Sequence, residues 1–223
     1  MPRTRRLRGV NRPRYGVHAR VVQRFGVRGD ALYVTIAVSL TMAVAGVAAW
    51  LLRRPLIFPS LGPSVFLCFE SPMDPEASPR NTLVGHAVAL LAGVAAVHAF
   101  RLTHTGEFGA AFSVSRGVAA GLSVGVTEGL LVLIRSPHPP AGATALIVAL
   151  GLLAKPVDLL ALMVGVVLVV AATWALNRAL GIPVPMWAPL FPDEHPPDEH
   201  PPDEHPPDKR IPDERIQDGR PRG

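Results

Sequence analysis

A single cysteine, Cys68, in 223 residues excludes an internal disulfide framework. It lies in an apolar run, and the plain reading is a buried, inert thiol. Aromatic residues make up 6% and charged residues 17% of the chain, too few charges for an ordinary soluble surface. Acid is almost missing from the first 30 residues, which hold nine arginines and one aspartate. The catalytic signatures GxSxG and HExxH, the P-loop and the dinucleotide fingerprint are all absent, so nothing supports enzymatic chemistry or a cofactor. No short apolar core with a small-residue cleavage site follows the basic head, as a cleavable signal peptide would require.

What is present is hydrocarbon. Four long apolar segments cover 31–52, 82–100, 115–134 and 159–180. About 20 helical residues cross ~30 Å of bilayer core, so each reads as a span. Two shorter apolar segments, 56–69 and 141–154, lie between them. The expected fold is an all-α polytopic membrane protein, four long transmembrane helices and two short Pro/Gly-initiated helices. Residues 1–30 would be a basic cytoplasmic tail, 31–180 the membrane domain and 181–223 a polar tail. The pI near 10.3 reports the arginine-rich head and is no sign of nucleic-acid binding. The positive-inside rule puts that head in the cytoplasm of a cell-membrane protein, and an even number of crossings returns the tail to the same side.

The order long–short–long occurs twice. Pro59-Ser60-Leu61-Gly62-Pro63-Ser64 aligns with Pro139-Pro140-Ala141-Gly142-Ala143-Thr144 at an offset of 80. The same offset carries the first long span onto the third and, slightly shifted, the second onto the fourth. If the short segments cross the membrane the two units are inverted; if they are re-entrant the units are parallel. Short Gly/Pro-interrupted segments in matching places point to a transporter's binding site, although Pro and Gly also recur in membrane proteins for packing alone.

Gly117, Gly121, Gly125 and Gly129 recur every four residues, and Gly85, Ala89 and Gly93 follow the same rhythm. Such stripes let helices approach closely in lipid. The first offers a face for a homo-oligomer. Beyond Pro192 the chain is repeats of PDEHP, then PDKRI and PDERI. Proline in each unit and dense charge give a solvated extended tail, and His195, His200 and His205 are not taken as a metal site.

Chemistry gathers around Arg135-Ser136-Pro137-His138-Pro139-Pro140. The prolines hold the backbone extended, and Pro140 suits a helix start. The next helix would point free N–H groups at a small anion, with Arg135 and His138 beside them. Ser60, Ser64 and Thr144 would stand around the two short helices, His86 would share the pocket, and Arg80 would offer bidentate contact. Pro59, Gly62, Pro139, Pro140 and Gly142 would shape the turns. The competing reading is a proline-rich turn at the water boundary with His138 merely interfacial. Glu128 lies in a span, where a carboxylate costs roughly 2.5–3.5 kcal/mol on insertion scales. It would couple protons, pair with Arg80 or Arg135, or reach interfacial water.

These residues carry a resemblance. His138-Pro139-Pro140-Ala141-Gly142-Ala143-Thr144-Ala145, Pro59-Ser60-Leu61-Gly62-Pro63-Ser64, Pro79-Arg80-Asn81 and Gly85-His86 are similar to motifs of the HPP family of integral membrane proteins, over residues 30–180. Pro63 departs from the small residue expected there. The resemblance implies a small helical membrane protein. Chloroplast and cyanobacterial relatives are associated with nitrite transport; the cytosolic CBS domains of some relatives have no room here. Transport of a small anion, nitrite first, is the expected function. The alternatives are a scaffold binding anionic lipid, with His-Pro-Pro as a hinge, and a sensor using the histidine-bearing tail.

Overall fold

The computed structural model describes residues 14–102, 113–153 and 155–189, and contains no strand among them. The elements are α1 (Gly16–Leu52), α2 (Leu61–Glu70), a 3-10 turn (Pro75–Ala77), α3 (Pro79–Ala99), α4 (Val114–Leu133), α5 (Ala141–Ala149) and α6 (Pro156–Ala179). Local chemistry sets the boundaries. Pro79 and Pro156 open α3 and α6, where a missing N–H costs nothing. The hydroxyls of Ser78 and Ser113 accept the backbone N–H groups of Asn81 and Arg116 at 3.3 and 3.2 Å, satisfying otherwise orphaned donors.

Four helices, α1, α3, α4 and α6, are long and apolar enough to cross a membrane. Their outward faces carry exposed Leu32, Ile36, Leu40, Leu91, Leu122, Val126, Leu160 and Val164, the surface lipid requires. The chain is an all-α polytopic membrane protein.

The short helices α2 and α5 have 10 and 9 residues, about 15 and 13.5 Å long at the α-helical rise. Contacts show where they run. Val17 N–H bonds the Leu180 carbonyl at 2.9 Å, and Arg80 N–H bonds Trp187 at 3.0 Å. Arg14 donates to the Glu70 carbonyl, Asn177 to Cys68 at 2.9 Å, and Ser136 to Asn81 Oδ1 at 2.9 Å. The starts of α1 and α3 and the ends of α2, α4 and α6 therefore share one end of the bundle. At the other end Arg116, at the start of α4, reaches the Ala149 carbonyl at the end of α5 at 3.4 Å. So α2 runs toward the first end and α5 toward the second. Each completes, with the non-helical stretch before it, one further crossing. The repeats each cross three times and are inverted, which resolves the two topologies left open by the sequence.

The repeat is visible in backbone detail. Arg53 and Arg135, after α1 and α4, are left-handed at φ 49 and 50°; Arg101 and Gly181, after α3 and α6, are left-handed at 50 and 77°. The halves interlock: α3 packs on α4 and α5, while α6 packs on α1 and α2. A glycine sits at each interlock. A Cβ on Gly85 would stand 2.9 Å from His138 Cβ, and one on Gly165 would stand 2.3 Å from the Leu56 carbonyl oxygen. These two glycines are 80 residues apart.

Two expectations shift. Helix α1 starts at Gly16, inside the proposed tail, and bends at Gly26 (φ 58, ψ −142°). The segment before the bend is tied down by Arg14 and His18, which pair with Asp30 at 2.7 and 2.6 Å. The folded part also runs past 181, because Ile182 and Val184 are buried in the core. The stripe Gly121, Gly125, Gly129 faces open space, whereas Gly85, Ala89 and Gly93 are packed, Gly93 against Val148. The head before residue 14 and the PDEHP repeats lie outside the described residues.

Candidate functional site

The two half-helices begin on either side of α3 His86, and their first-turn hydroxyls converge on its imidazole. Thr144 Oγ1 of α5 is 2.7 Å from His86 Nδ1, and Ser64 Oγ of α2 is 3.0 Å from His86 Nε2. Ser64 Oγ is also 3.0 Å from His138 Nε2, and His138 Nδ1 donates to the Glu76 carbonyl at 2.8 Å. The imidazoles meet edge to face, 5.1 Å between centroids. Ser60, Ser64, His86, His138 and Thr144 are all 0% exposed. His86 lies seven residues into α3, about 10 Å below its start, so the cluster is within the membrane rather than at its boundary.

The charged candidates are placed differently. Arg135 is exposed beyond the end of α4. Arg80 is half-buried and reaches the Asn81 side chain at 3.4 Å. Neither makes a hydrogen bond to the histidine cluster. Glu128, half-buried, stands at the start of α5, its Oε1 2.8 Å from where a Cβ on Gly142 would lie. A carboxylate at a helix N-terminus is favourable, but it fills the place expected for an anion. The N–H groups of Ala141, Gly142 and Ala143 also bond back to the carbonyls of His138, Pro139 and Pro140 at 2.9–3.2 Å. The free N–H cradle read from the sequence is therefore occupied by the turn and by Glu128. The site's polar groups come from side chains.

Other members were not singled out by sequence. Ser136 and Asn81 are buried and bonded to each other, and Asn81 Nδ2 donates to the Pro75 carbonyl at 2.9 Å. This ties the turn before α5 to the start of α3. Both lie in the motifs quoted above, which was their only signal. Arg116 is buried at the end of α5, where a cation suits the helix dipole; an arginine one turn into an apolar span was the missed clue. The Glu76 carbonyl has no side-chain signal at all. Among the described residues no three His, Cys, Asp or Glu side chains form a metal-binding group.

Fold and site define a multi-pass membrane protein of inverted repeats with a buried polar cluster between the repeats. The model of the HPP transmembrane region matches residues 25–185, and the chain belongs to that family. A transmembrane protein of Dictyostelium discoideum is 34% identical over 99 residues, covering 44% of this chain and 32% of that protein. The match thus spans about a third of that relative's length. No solved structure matches.

Proposed function

We propose that this protein is a membrane transporter of a small anion, with nitrite the first candidate. The carrying observation is the pair of broken crossings, whose half-helices each bring a first-turn hydroxyl to His86. Inverted repeats with discontinuous helices meeting inside the bilayer are the arrangement in which transporters hold substrate. Ser60, Ser64, His86, His138 and Thr144 would supply the polar contacts. Arg80 and Arg135, at one mouth, would attract the anion without holding it. Glu128 would respond to protons at the start of α5.

Further parts of the reading follow. The end of the bundle carrying Arg14, Arg20, Arg24, Arg28, Arg80, Arg135 and Arg178 would face the cytoplasm of a cell membrane, with both termini there. The open glycine face of α4 would meet a second copy of the chain, and the remaining outer surface would meet lipid.

The test is nitrite entry into proteoliposomes of the purified chain, beside formate, nitrate and bicarbonate, and beside His138→Ala. Saturable nitrite entry that the substitution abolishes supports the proposal. Entry no faster than in empty vesicles for every anion, with a pH gradient of either sign, overturns it. It would favour the scaffold reading, in which His-Pro-Pro is a hinge.

A further inference from the structure

The hydrogen-bond chain through the two histidines has only one consistent arrangement of protons. A carbonyl can only accept, so His138 Nδ1 carries the hydrogen that bonds Glu76. With the ring neutral, His138 Nε2 is then a bare acceptor, and Ser64 must donate to it. A hydroxyl has one hydrogen, so His86 Nε2–H must donate to Ser64 Oγ. His86 Nδ1 is left to accept from Thr144 O–H. The chain therefore reads Thr144 → His86 → Ser64 → His138 → Glu76, with every bond made and no donor to spare. Any other neutral arrangement sets two lone pairs against each other, a loss of about 1–3 kcal/mol for a buried group.

This resting chain cannot hold an anion. The five linked groups offer no free hydrogen and no net charge; the buried Ser60 hydroxyl, without a partner, adds a donor but no charge, and an unpaired charge in a dry site costs several kcal/mol. The surroundings do not supply the missing positive charge. α4 brings Glu128, held at Gly142, and α5 has no titratable side chain. The 3-10 turn brings Glu76, through its carbonyl. α3 brings Arg80, turned to Asn81; α2 brings Cys68 and Glu70 in its last turn; Arg135 is exposed. One added proton changes the balance. Placed on His138 Nε2, it reverses the bond to Ser64, which then accepts from both imidazoles. The Ser64 hydrogen is released, and an alternative acceptor, the Ser60 carbonyl, already stands 3.3 Å away.

We propose that His138, switched through Ser64, is the proton acceptor of an anion–proton symport. A proton arrives at Nε2, the freed Ser64 hydroxyl and the imidazolium together hold the anion, and both leave on the other side, so no net charge crosses. This rests on the transport reading above.

Two measurements test it. The first is 15N NMR of histidine-labelled full-length chain in lipid vesicles, assigned with His86→Gln and His138→Gln. It should show opposite tautomers, His86 protonated at Nε2 and His138 at Nδ1, with His138 gaining its second proton on acidification and Ser64→Ala erasing the difference. Both rings in the same tautomer overturn the arrangement. The second is nitrite entry into proteoliposomes holding a pH-sensitive dye, with empty vesicles subtracted. One proton should enter per nitrite, with no response to an imposed potassium diffusion potential. Nitrite entry without lumenal acidification, accelerated several-fold by an inside-positive potential, overturns the symport and leaves transport standing. Absence of entry for nitrite, formate, nitrate and bicarbonate alike overturns the transport reading, and the symport with it, whatever the tautomers.

Discussion

The two interlocks of this protein are built on one backbone plan and filled with opposite chemistry. Where α3 meets the start of α5, Gly85 admits His138, and His86 follows. Where α6 meets the start of α2, Gly165 admits the Leu56–Leu61 stretch, and the residues 80 positions from His138 and His86 are Phe58 and Val166. Phe58 and Val166 are buried in the main apolar core. The fold thus makes the same junction without an imidazole. Nothing in the packing of a glycine against an extended turn calls for imidazole, and a dry hydrogen-bonded cluster tolerates no missing partner. The difference teaches that the histidines are an addition to the scaffold rather than a part of it.

Breaking the scaffold should have the largest effect. Gly165→Ala pushes a Cβ into the Leu56 carbonyl, 2.3 Å away. It should cost about 3 kcal/mol or more, read as loss of folded protein in detergent. Next comes Ser64→Ala, which takes the shared hydroxyl from both imidazoles. A loss of about 1–3 kcal/mol is expected, seen as a lower Tm, together with loss of nitrite entry. His138→Ala should behave similarly with an added cavity. The smallest effect on the single chain belongs to Gly125→Ala, where a Cβ meets nothing within 4 Å. Helix propensity alone predicts a gain of up to about 1 kcal/mol. Gly125→Leu should leave the fold intact while lowering the oligomer fraction in light scattering, if that face meets a second copy. An unchanged oligomer would separate the two glycine stripes fully, one for the chain's interior and one for lipid.

Much of this was legible in the sequence because lipid and repetition write plain patterns. The four spans follow from hydrocarbon length, and the duplication from the Pro/Gly/hydroxyl alignment. His86, Ser64, His138 and Thr144 could be named as polar residues at matching places. Their mutual contact could not be read, since it depends on α3 of one repeat packing against α5 of the other. Topology was hidden for the same reason. A segment of about ten helical residues does not say whether the extended chain before it completes a crossing. The arginines misled, because Arg135 follows a helix whose left-handed end turns it outward. The α5 N-terminus misled too, because its N–H groups are spent on the tight turn that starts the helix, and a carboxylate from α4, 14 residues upstream of Gly142, stands beside it.

The most direct measurement is nitrite entry by a chain carrying His86→Val and His138→Phe together, which copies the apolar junction into the polar one. The account predicts a protein that folds and inserts, with a Tm lowered because Ser64, Thr144 and the Glu76 carbonyl lose their imidazole partners, and that moves no nitrite above empty vesicles. Parent-level nitrite entry by that chain would contradict it, since the histidines would then be packing and the pathway would lie elsewhere.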